Sequence, residues 1–329
     1  MAFRAKKERN VISKLEDSWW YYTVEKPDRS FFKGVYNDDM ILLPRKNLSK
    51  IDLKGRKVAD ICTMEGLIPT IMCKSGASTV VAADSARPSV LKDPGVDTIE
   101  MNLRKIDYIK NLHGVDFYYE EIPEKVPAYA HLLGRNTGQF DLVNLSGLLY
   151  HVYSPMHWIG SIRPLIRDGG LAIISTNVTL DPTHIMQFNQ KGELQMNLTT
   201  YWYISVPLFD YMLRYFRLRP IRCEYMKNNG HEYYMSVICR AEEGVIADPD
   251  DGWMENSAFH SWDSIWYGGL DMTGKAEKSD IRFKDGKEID ERSGKTDRVD
   301  LLEFTRRNPA HLYTGNHEHT AVLRLDDIE

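Results

Sequence analysis

Residues 58–85 read VADICTMEGLIPTIMCKSGASTVVAADS. The stretch divides into a short apolar strand, a turn, an apolar helix over 66–75 and a second strand, TVVAAD, at 79–84. An acid stands at each strand end, Asp60 and Asp84. The turn between the first strand and the helix is unusual. A glycine-rich phosphate-binding turn is built on Gly-x-Gly-x-x-Gly, whereas here Cys62, Thr63, Met64 and Glu65 precede a single glycine, Gly66.

The alternation continues outward from this unit. GVDFYYEEI (114–122), FDLVNLS (140–146) and GLAIISTNV (170–178) read as strands, and 102–112 and 155–167 as helices. Strands alternating with helices of about 10–15 residues predict βαβ units and a parallel sheet covered on both faces. The pattern changes after residue 200. VPLFDYMLRYF (206–216) has helical spacing, and PIRCEYMKNN and HEYYMSVICR flank Asn229-Gly230, a strong hairpin signal. The predicted fold is therefore α/β, a mostly parallel seven-stranded sheet closed by an antiparallel C-terminal hairpin. Three parts follow: an N-terminal cap segment (1–55), the sheet domain (56–243) and a polar C-terminal extension (244–329). Residues 275–300 hold sixteen charged residues with almost no apolar period, which predicts a solvated or flexible loop. The tryptophan-bearing GWMENSAFHSWDSIWYGG before it is expected to pack on the main body.

Composition sets the class. Of 329 residues, 43% are hydrophobic and 27% charged, as in an ordinary globular protein long enough for a substantial core. The formal charge of −5 argues against a partner held mainly through phosphates. Cys62, Cys73, Cys223 and Cys239 all lie in apolar runs and show neither metal nor disulfide spacing, so four reduced core thiols are expected. The basic start MAFRAKKERN leads into no apolar stretch of signal type. No apolar run approaches the roughly 20 residues that span a bilayer. A cytoplasmic protein with no membrane partner is the expectation, with oligomeric state open and a homodimer admissible.

In an open α/β sheet, ligands bind beyond the carboxyl ends of the strands, near the switch in strand order. A carboxylate at the second strand end suits the cis-diol of a ribose. Asp60 and Glu65 around the turn would repel a pyrophosphate. The pattern suits a ligand with a ribose and a positive charge but no phosphates, and S-adenosylmethionine, a sulfonium with an ammonium group, is such a ligand.

At this point a family resemblance is visible. VADICTMEG resembles the first motif of class I S-adenosylmethionine-dependent methyltransferases, and within them the subgroup that includes the tRNA wobble-uridine carboxymethyltransferases, which reads approximately V-L-D-I-G-T-x-D-G. GASTVVAADS (76–85), QFDLVNLSGLLYHVYSP (139–155) and IRDGGLAIISTN (166–177) follow in the family's order and spacing, so the match covers roughly 18–240. The resemblance implies the Rossmann-like methyltransferase fold. It places Asp60, Thr63, Glu65 and Gly66 around the methionine end of the cofactor, Asp84 with Ser85 at the ribose, and Glu121 and Ile122 at the adenine. Asn144, Ser146 and Gly147 would lie under the sulfonium. Cys62, normally glycine, departs from the pattern and removes the most permissive backbone position of the turn.

Each of these residues also has a plainer reading. Thr63 could cap the helix, Asp84 could be a surface turn residue, and Asn144 could make a structural hydrogen bond. His151, in the family-like Leu-Tyr-His, is either packing or a catalytic base. The aromatic block 19–22 and TTYWYISVP (199–207), which carries Tyr203, are either acceptor pocket or core. NHEH (316–319) reads as a solvated tail, without the ligand placement a metal needs. Asn144, His151 and Tyr203 are the catalytic candidates. Methyl transfer to a small-molecule acceptor is the first expectation. Closure of the cofactor's own methionine chain to azetidine-2-carboxylate, releasing methylthioadenosine, is an alternative. Modification of tRNA, through a basic surface of Lys6, Lys7, Arg9, Arg214, Arg217 and Arg219, is another, and a degenerate cofactor-binding subunit serving a partner is a third.

Overall fold

The computed structural model describes residues 15, 18, 20–34, 42–84, 99–121, 139–189, 200–227, 233–243, 277–294, 297–312 and 322–323. Its centre is the predicted parallel sheet. In chain order the strands are β1 (Thr23–Glu25), β2 (Phe31–Phe32), β3 (Lys57–Ile61), β4 (Thr79–Asp84), β5 (Tyr118–Glu121), β6 (Phe140–Ser146), β7 (Ile166–Thr179), β8 (Met186–Phe188), β9 (Trp202–Ser205), β10 (Leu218–Lys227), β11 (Tyr233–Ala241), β12 (His311–Leu312) and β13 (Val322–Leu323). The helices are α1 (Leu42–Leu48), α2 (Leu67–Lys74), α3 (Ile99–His113), α4 (Pro155–Ile162), α5 (Val206–Tyr215) and α6 (Leu301–Arg307).

Seven strands run in the order β5-β4-β3-β6-β7-β11-β10, the first five parallel and the last two joining antiparallel. The sheet is wider than expected, because β12 adds beyond β10 and the β8–β9 pair attaches to the end of β7. Asn229-Gly230 lies outside the described residues. Strand order reverses between β3 and β6, the switch point where such sheets bind ligands.

Alternation along the strands divides the core in two. One face carries Ala59, Ile61, Val143, Leu145, Ile174 and Val237 under α4, α5 and α6. The other carries Val58, Ala82, Leu142, Leu171, Ile173 and Ile238 under α2, α3 and the N-terminal segment. This second face is apolar only over its lower half. Towards the carboxyl ends, the same-face positions become Asp60, Asn144, Ser146, Ser175, Asn177, Ser236 and Tyr234, most of them buried. So many buried polar groups on one half-face need partners.

The C-terminal extension corrects one expectation. The described part of 275–300 is packed on the sheet. Ile281 and Phe283 bury in one core, and Val299, with Leu301 and Phe304 of α6, in the other. The charges that suggested a solvated loop are matched by arginines of the hairpin strands. Arg222 bonds Asp285 at 2.7 Å, Arg219 bonds Glu288 at 2.9 Å, and Arg240 bonds the Ile281 carbonyl at 3.0 Å. Ser279 N–H bonds the Asp168 carbonyl, and a Cβ on Gly169 would stand 2.6 Å from the Ser279 carbonyl oxygen. Glycine is thus required where the extension crosses β7. The thiols are free, but only Cys223 and Cys239 are core residues; Cys62 and Cys73 are half-buried. The tryptophans at 253, 262 and 266 and NHEH lie outside the described residues. Among the described residues, no helix is long and apolar enough to cross a membrane.

Candidate active site

The turn after β3 keeps a glycine-like path without the glycines. Cys62 (φ 68°), Met64 (φ 50°) and Gly66 (φ 88°) all adopt positive φ, a conformation costing a non-glycine residue about 1–3 kcal/mol. Hydrogen bonds hold it there. Cys62 N–H and Thr63 N–H both point to the Ala83 carbonyl, at 2.7 and 3.3 Å, and Met64 N–H donates to Asp84 Oδ2 at 2.6 Å. The acid ending β4 therefore fastens the turn after β3. Gly66 is the residue before α2 and no side chain caps that helix, so Thr63 does not serve as the cap.

Asp60 lies at the end of β3 and is 2% exposed. Its Oδ1 accepts a hydrogen bond from Asn144 Nδ2 at 2.6 Å. Burial pushes its pKa up to about 7, opposed by Asn144 and Thr63 and assisted by the nearby Asp84 carboxylate. Asp60 Oδ2 and Thr63 Oγ1 are buried without a well-directed hydrogen-bond partner. One strand further, Asp84 pairs in register with Glu121, which ends β5 exposed to solvent. Asp84 and Glu121 thus end adjacent strands, and Asp60 is the penultimate residue of the strand beside them. Ser85 and Ile122 lie outside the described residues.

Glu65, expected at the cofactor, is occupied by the protein itself. Its Oε1 accepts from Tyr21 N–H at 2.6 Å and its Oε2 from Tyr22 N–H at 3.4 Å. The wholly buried Lys105 of α3 stands 3.9 Å from Oε1 and lies over the Trp20 ring. Burial raises the Glu65 pKa to about 7, with Lys105 pulling the other way. Glu65 is therefore a bolt for the aromatic N-terminal segment, joining residues more than forty positions apart. Trp20 stacks on Phe32 with ring centroids 4.7 Å apart and is core. Tyr22 faces the site, its pKa raised by burial and by the carboxylates of Glu65, Asp60 and Asp84.

At the end of β6, Ser146 donates to Asn144 Oδ1 at 2.8 Å and its oxygen lies 2.9 Å from the Ser175 hydroxyl. Gly147 follows with φ +78°; a Cβ there would stand 3.5 Å from the Tyr150 hydroxyl and 3.8 Å from that of Tyr234. Tyr22, Tyr150 and Tyr234 interact electrostatically with one another. His151 ends the short turn Leu149–His151, half-buried, with its ring 4.2 Å from that of Tyr150. Tyr203, buried on β9, lies further out beside the overhanging end of β7. Ser205 is a helix cap, accepting from Ile185 N–H and Leu208 N–H. The structure thus brings Asp60, Thr63, Asp84, Asn144, Ser146 and Gly147 together. Tyr22 of the aromatic block and Tyr150 of the Leu-Tyr-His join them, and the structure adds Tyr234 and Ser175, which sequence reasoning missed. Their signal was present as polar residues at alternate positions of otherwise apolar strands. Among the described residues, no group of acidic, histidine and cysteine side chains could hold a metal ion.

No protein-family model matches the chain. Curated relatives include the ubiquinone biosynthesis O-methyltransferase of Bordetella avium (strain 197N), 25% identical over 169 residues that cover 51% of this chain and 60% of that protein. The tRNA U34 carboxymethyltransferase of Pseudomonas fluorescens (strain Pf0-1) is 24% identical over 174 residues, covering 53% and 48%. The chain therefore matches about half of the length of these curated relatives. Among solved structures, the Burkholderia thailandensis 1,6-didemethyltoxoflavin-N1-methyltransferase aligns with a TM-score of 0.43 and 16% identity, over 62% of this chain and 77% of that one. In sequence the chain is thus similar to methyltransferases, and its mostly parallel sheet, reversing order between β3 and β6, has the Rossmann-like form expected of the class I S-adenosylmethionine-dependent enzymes.

Proposed function

We propose that the strand-end site binds S-adenosylmethionine and that the protein transfers its methyl group to a small-molecule acceptor. The observation that carries this reading is Asp60. A buried carboxylate whose second oxygen has no well-directed hydrogen bond, with only the neighbouring Thr63 hydroxyl beside it, is costly unless a cationic or donating group arrives. A ligand with an ammonium and a sulfonium provides one, and the turn with its acids leaves little that would welcome a phosphate. In this reading Asp84 holds the ribose hydroxyls while fastening Met64 N–H. Glu121 flanks the adenine end, and Asn144, Ser146 and Gly147 support the sulfonium end. Glu65 contributes indirectly, by holding Tyr21 and Tyr22 over the site.

S-adenosylmethionine supplies an already activated methyl carbon when bound. The work left to the chain is to hold the acceptor in line and keep water out, and orientation alone is worth on the order of 7–11 kcal/mol in favourable cases. The tyrosine hydroxyls around Gly147 form the wall on which an acceptor would be oriented. In this reading His151, beside Tyr150, takes a proton from an amine or hydroxyl acceptor, and Tyr203, buried further out on β9, is a less direct candidate for it. A nucleic-acid acceptor has less support. Arg214 is paired with Asp210 at 2.9 Å and Arg219 with Glu242 at 2.8 Å, so two of the arginines expected to form a basic surface are partly neutralised.

Calorimetry with S-adenosylmethionine tests the binding step, and labelled-methyl transfer across a panel of small amines, phenols and carboxylates tests the reaction. Failure to bind S-adenosylmethionine would overturn the whole reading. Methylthioadenosine released from S-adenosylmethionine alone would replace methyl transfer by internal ring closure, and label appearing in bulk tRNA would overturn the small-molecule assignment.

A further inference from the structure

The buried polar residues low on the site face satisfy one another. Asn144 donates to Asp60 Oδ1 at 2.6 Å, Ser146 to Asn144 Oδ1 at 2.8 Å, and Ser175 to the Ser236 hydroxyl at 2.8 Å. Asn47 of α1 donates to the Ser236 hydroxyl as well, at 2.9 Å. Further out on the same face of β7, Asn177 differs. It is 2% exposed, and its Oδ1 is buried without a well-directed hydrogen-bond partner. Beyond it on that face, the Thr179 hydroxyl is in the same state. Buried amide oxygens are seldom left so, because an unmatched one forfeits its hydration with no return.

Register fixes the surroundings of Asn177. Its partner on β11 is Tyr234. On the other side β6 has ended at Ser146, the Gly147 amide bonds the Ser175 carbonyl, and β9 takes the place of β6 along β7. The pairs Val178–Ile204 and Thr179–Ser205 put Tyr203 beside Asn177. Val178 and Ile204 lie in the core under α4, α5 and α6, so by alternation Asn177 and Tyr203 share the opposite, site-bearing face. The Tyr201 amide bonds the Tyr150 carbonyl at 2.7 Å and holds this segment against the turn that carries Tyr150 and His151. Asn177 thus stands between the buried Tyr203 and Tyr234.

Position decides which ligand it meets. Asp60 aligns with Asn144 on β6, and Asn144 with Ile173 on β7. At ordinary sheet spacings Asn177 is therefore about 10 Å across and about 13 Å along from Asp60, more than the methionine arm of the cofactor spans. Asp84 and Glu121, at the proposed ribose and adenine end, lie on β4 and β5, across β3 from β7. Asn177 is on the acceptor side.

We propose that Asn177 orients the acceptor and sets its class: the carboxamide oxygen receives a hydrogen bond from an N–H or O–H of the acceptor, which selects amines and hydroxyl compounds over carboxylates. The assignment to an acceptor rests on the proposed function. An ionised carboxylate has no proton to give and would set oxygen against oxygen. Turning the carboxamide over would present its NH₂ and favour the carboxylate, so the two orientations make opposite predictions.

Benzyl alcohol, ethylbenzene and benzoate are matched probes that carry a donor, no polar group, and acceptors only. Ethylbenzene is the comparison free of charge effects. NMR titration with saturating S-adenosylhomocysteine, and again without it, reads their affinities. Wild type should bind benzyl alcohol about fivefold tighter than ethylbenzene, the worth of one neutral hydrogen bond, and tighter than benzoate. Asn177→Val should abolish the preference over ethylbenzene and leave S-adenosylhomocysteine affinity within about twofold, as distant sites act independently. Lacking the orphaned oxygen, Asn177→Val should also unfold in urea at a midpoint no lower than wild type. Asn177→Asp, which only accepts when ionised, should keep the preference for benzyl alcohol. Equal binding of benzyl alcohol and ethylbenzene, no binding of any probe, a preference for benzoate, or a preference that survives in Asn177→Val would overturn the proposal. A clear fall in the Asn177→Val midpoint would do so too, since it would mean a partner within the protein. Wild type that takes up no S-adenosylhomocysteine would sink the functional reading instead, and the ligand-free titrations and unfolding midpoints would still be readable.

Discussion

The bolt at Glu65 makes the most direct prediction, because it needs no ligand. Its carboxylate satisfies the Tyr21 and Tyr22 amides and faces a fully buried Lys105 ammonium at 3.9 Å. Glu65→Ala takes the carboxylate from that ammonium and leaves the buried Tyr22 amide without its acceptor, a loss of about 1–3 kcal/mol. Removing the charge on both sides, with Glu65→Gln and Lys105→Met together, should recover about half of the loss or more, since no buried charge of the pair then remains. The same group sets a pH dependence. Its folded pKa, about 7, lies above the ordinary value of 4.5. The folded state therefore holds a proton that the unfolded state releases. The stability this gives is complete below the unfolded pKa and is lost as pH rises through about 7. The span corresponds to at most about 3 kcal/mol. Denaturant unfolding of wild type and Glu65→Gln from pH 5 to pH 8 measures it, and wild type should lose stability relative to the variant across that range. A Glu65→Ala loss below about 1 kcal/mol, or parallel pH curves, would refute the assignment of Glu65 as a buried fastener.

Further predictions address the turn. Gly66→Ala forces a side chain into φ +88° and puts its Cβ 3.0 Å from Phe117 Cζ, so it should cost about 1–3 kcal/mol in a denaturant titration. Cys62→Gly relieves the positive φ but deletes a half-buried side chain, so its stability should fall within about 1 kcal/mol of wild type; a large loss would show that the thiol packs more tightly than its exposure implies. Asp84→Ala should weaken S-adenosylmethionine binding at least tenfold by calorimetry, and Asp84→Asn, which can still accept from Met64 N–H, should retain more of the stability than of the affinity.

What the sequence made legible follows from periodicity. The βαβ reading of 58–85, the strand at 140–146 and the hairpin all rest on runs whose apolar pattern has a single solution in a two-faced sheet, and β3, β4, β6, β10 and β11 lie where those runs stand. Asp60 and Asp84 were visible because strand ends define the ligand edge. Glu65 was singled out with them, but its fastening role was not legible, because its partner Lys105 and the amides it holds are set by tertiary packing. Ser175 and Ser236 stand out in the sequence only as single polar residues in apolar strands, and register alone shows that they touch. The C-terminal extension was misread because an extended chain anchored at a few points has no period. Its charges are explained by Arg219, Arg222 and Arg240 on strands read separately.

The loss of glycine at 62 need not mean the loss of the turn's function. Cys62 and Met64 take up the left-handed conformation that glycine adopts freely, and conformations of that cost persist only where the surroundings over-determine them. Here the restraint comes from two amides on the Ala83 carbonyl and one on Asp84. The residue proposed to grip the ribose is thus also the residue that keeps the turn in shape. Strain in the turn and affinity at the strand ends are therefore coupled through one carboxylate: a ligand that draws on Asp84 acts on the hydrogen bond that opposes the Met64 strain. A glycine at 62 would weaken that coupling by lowering the strain that must be restrained.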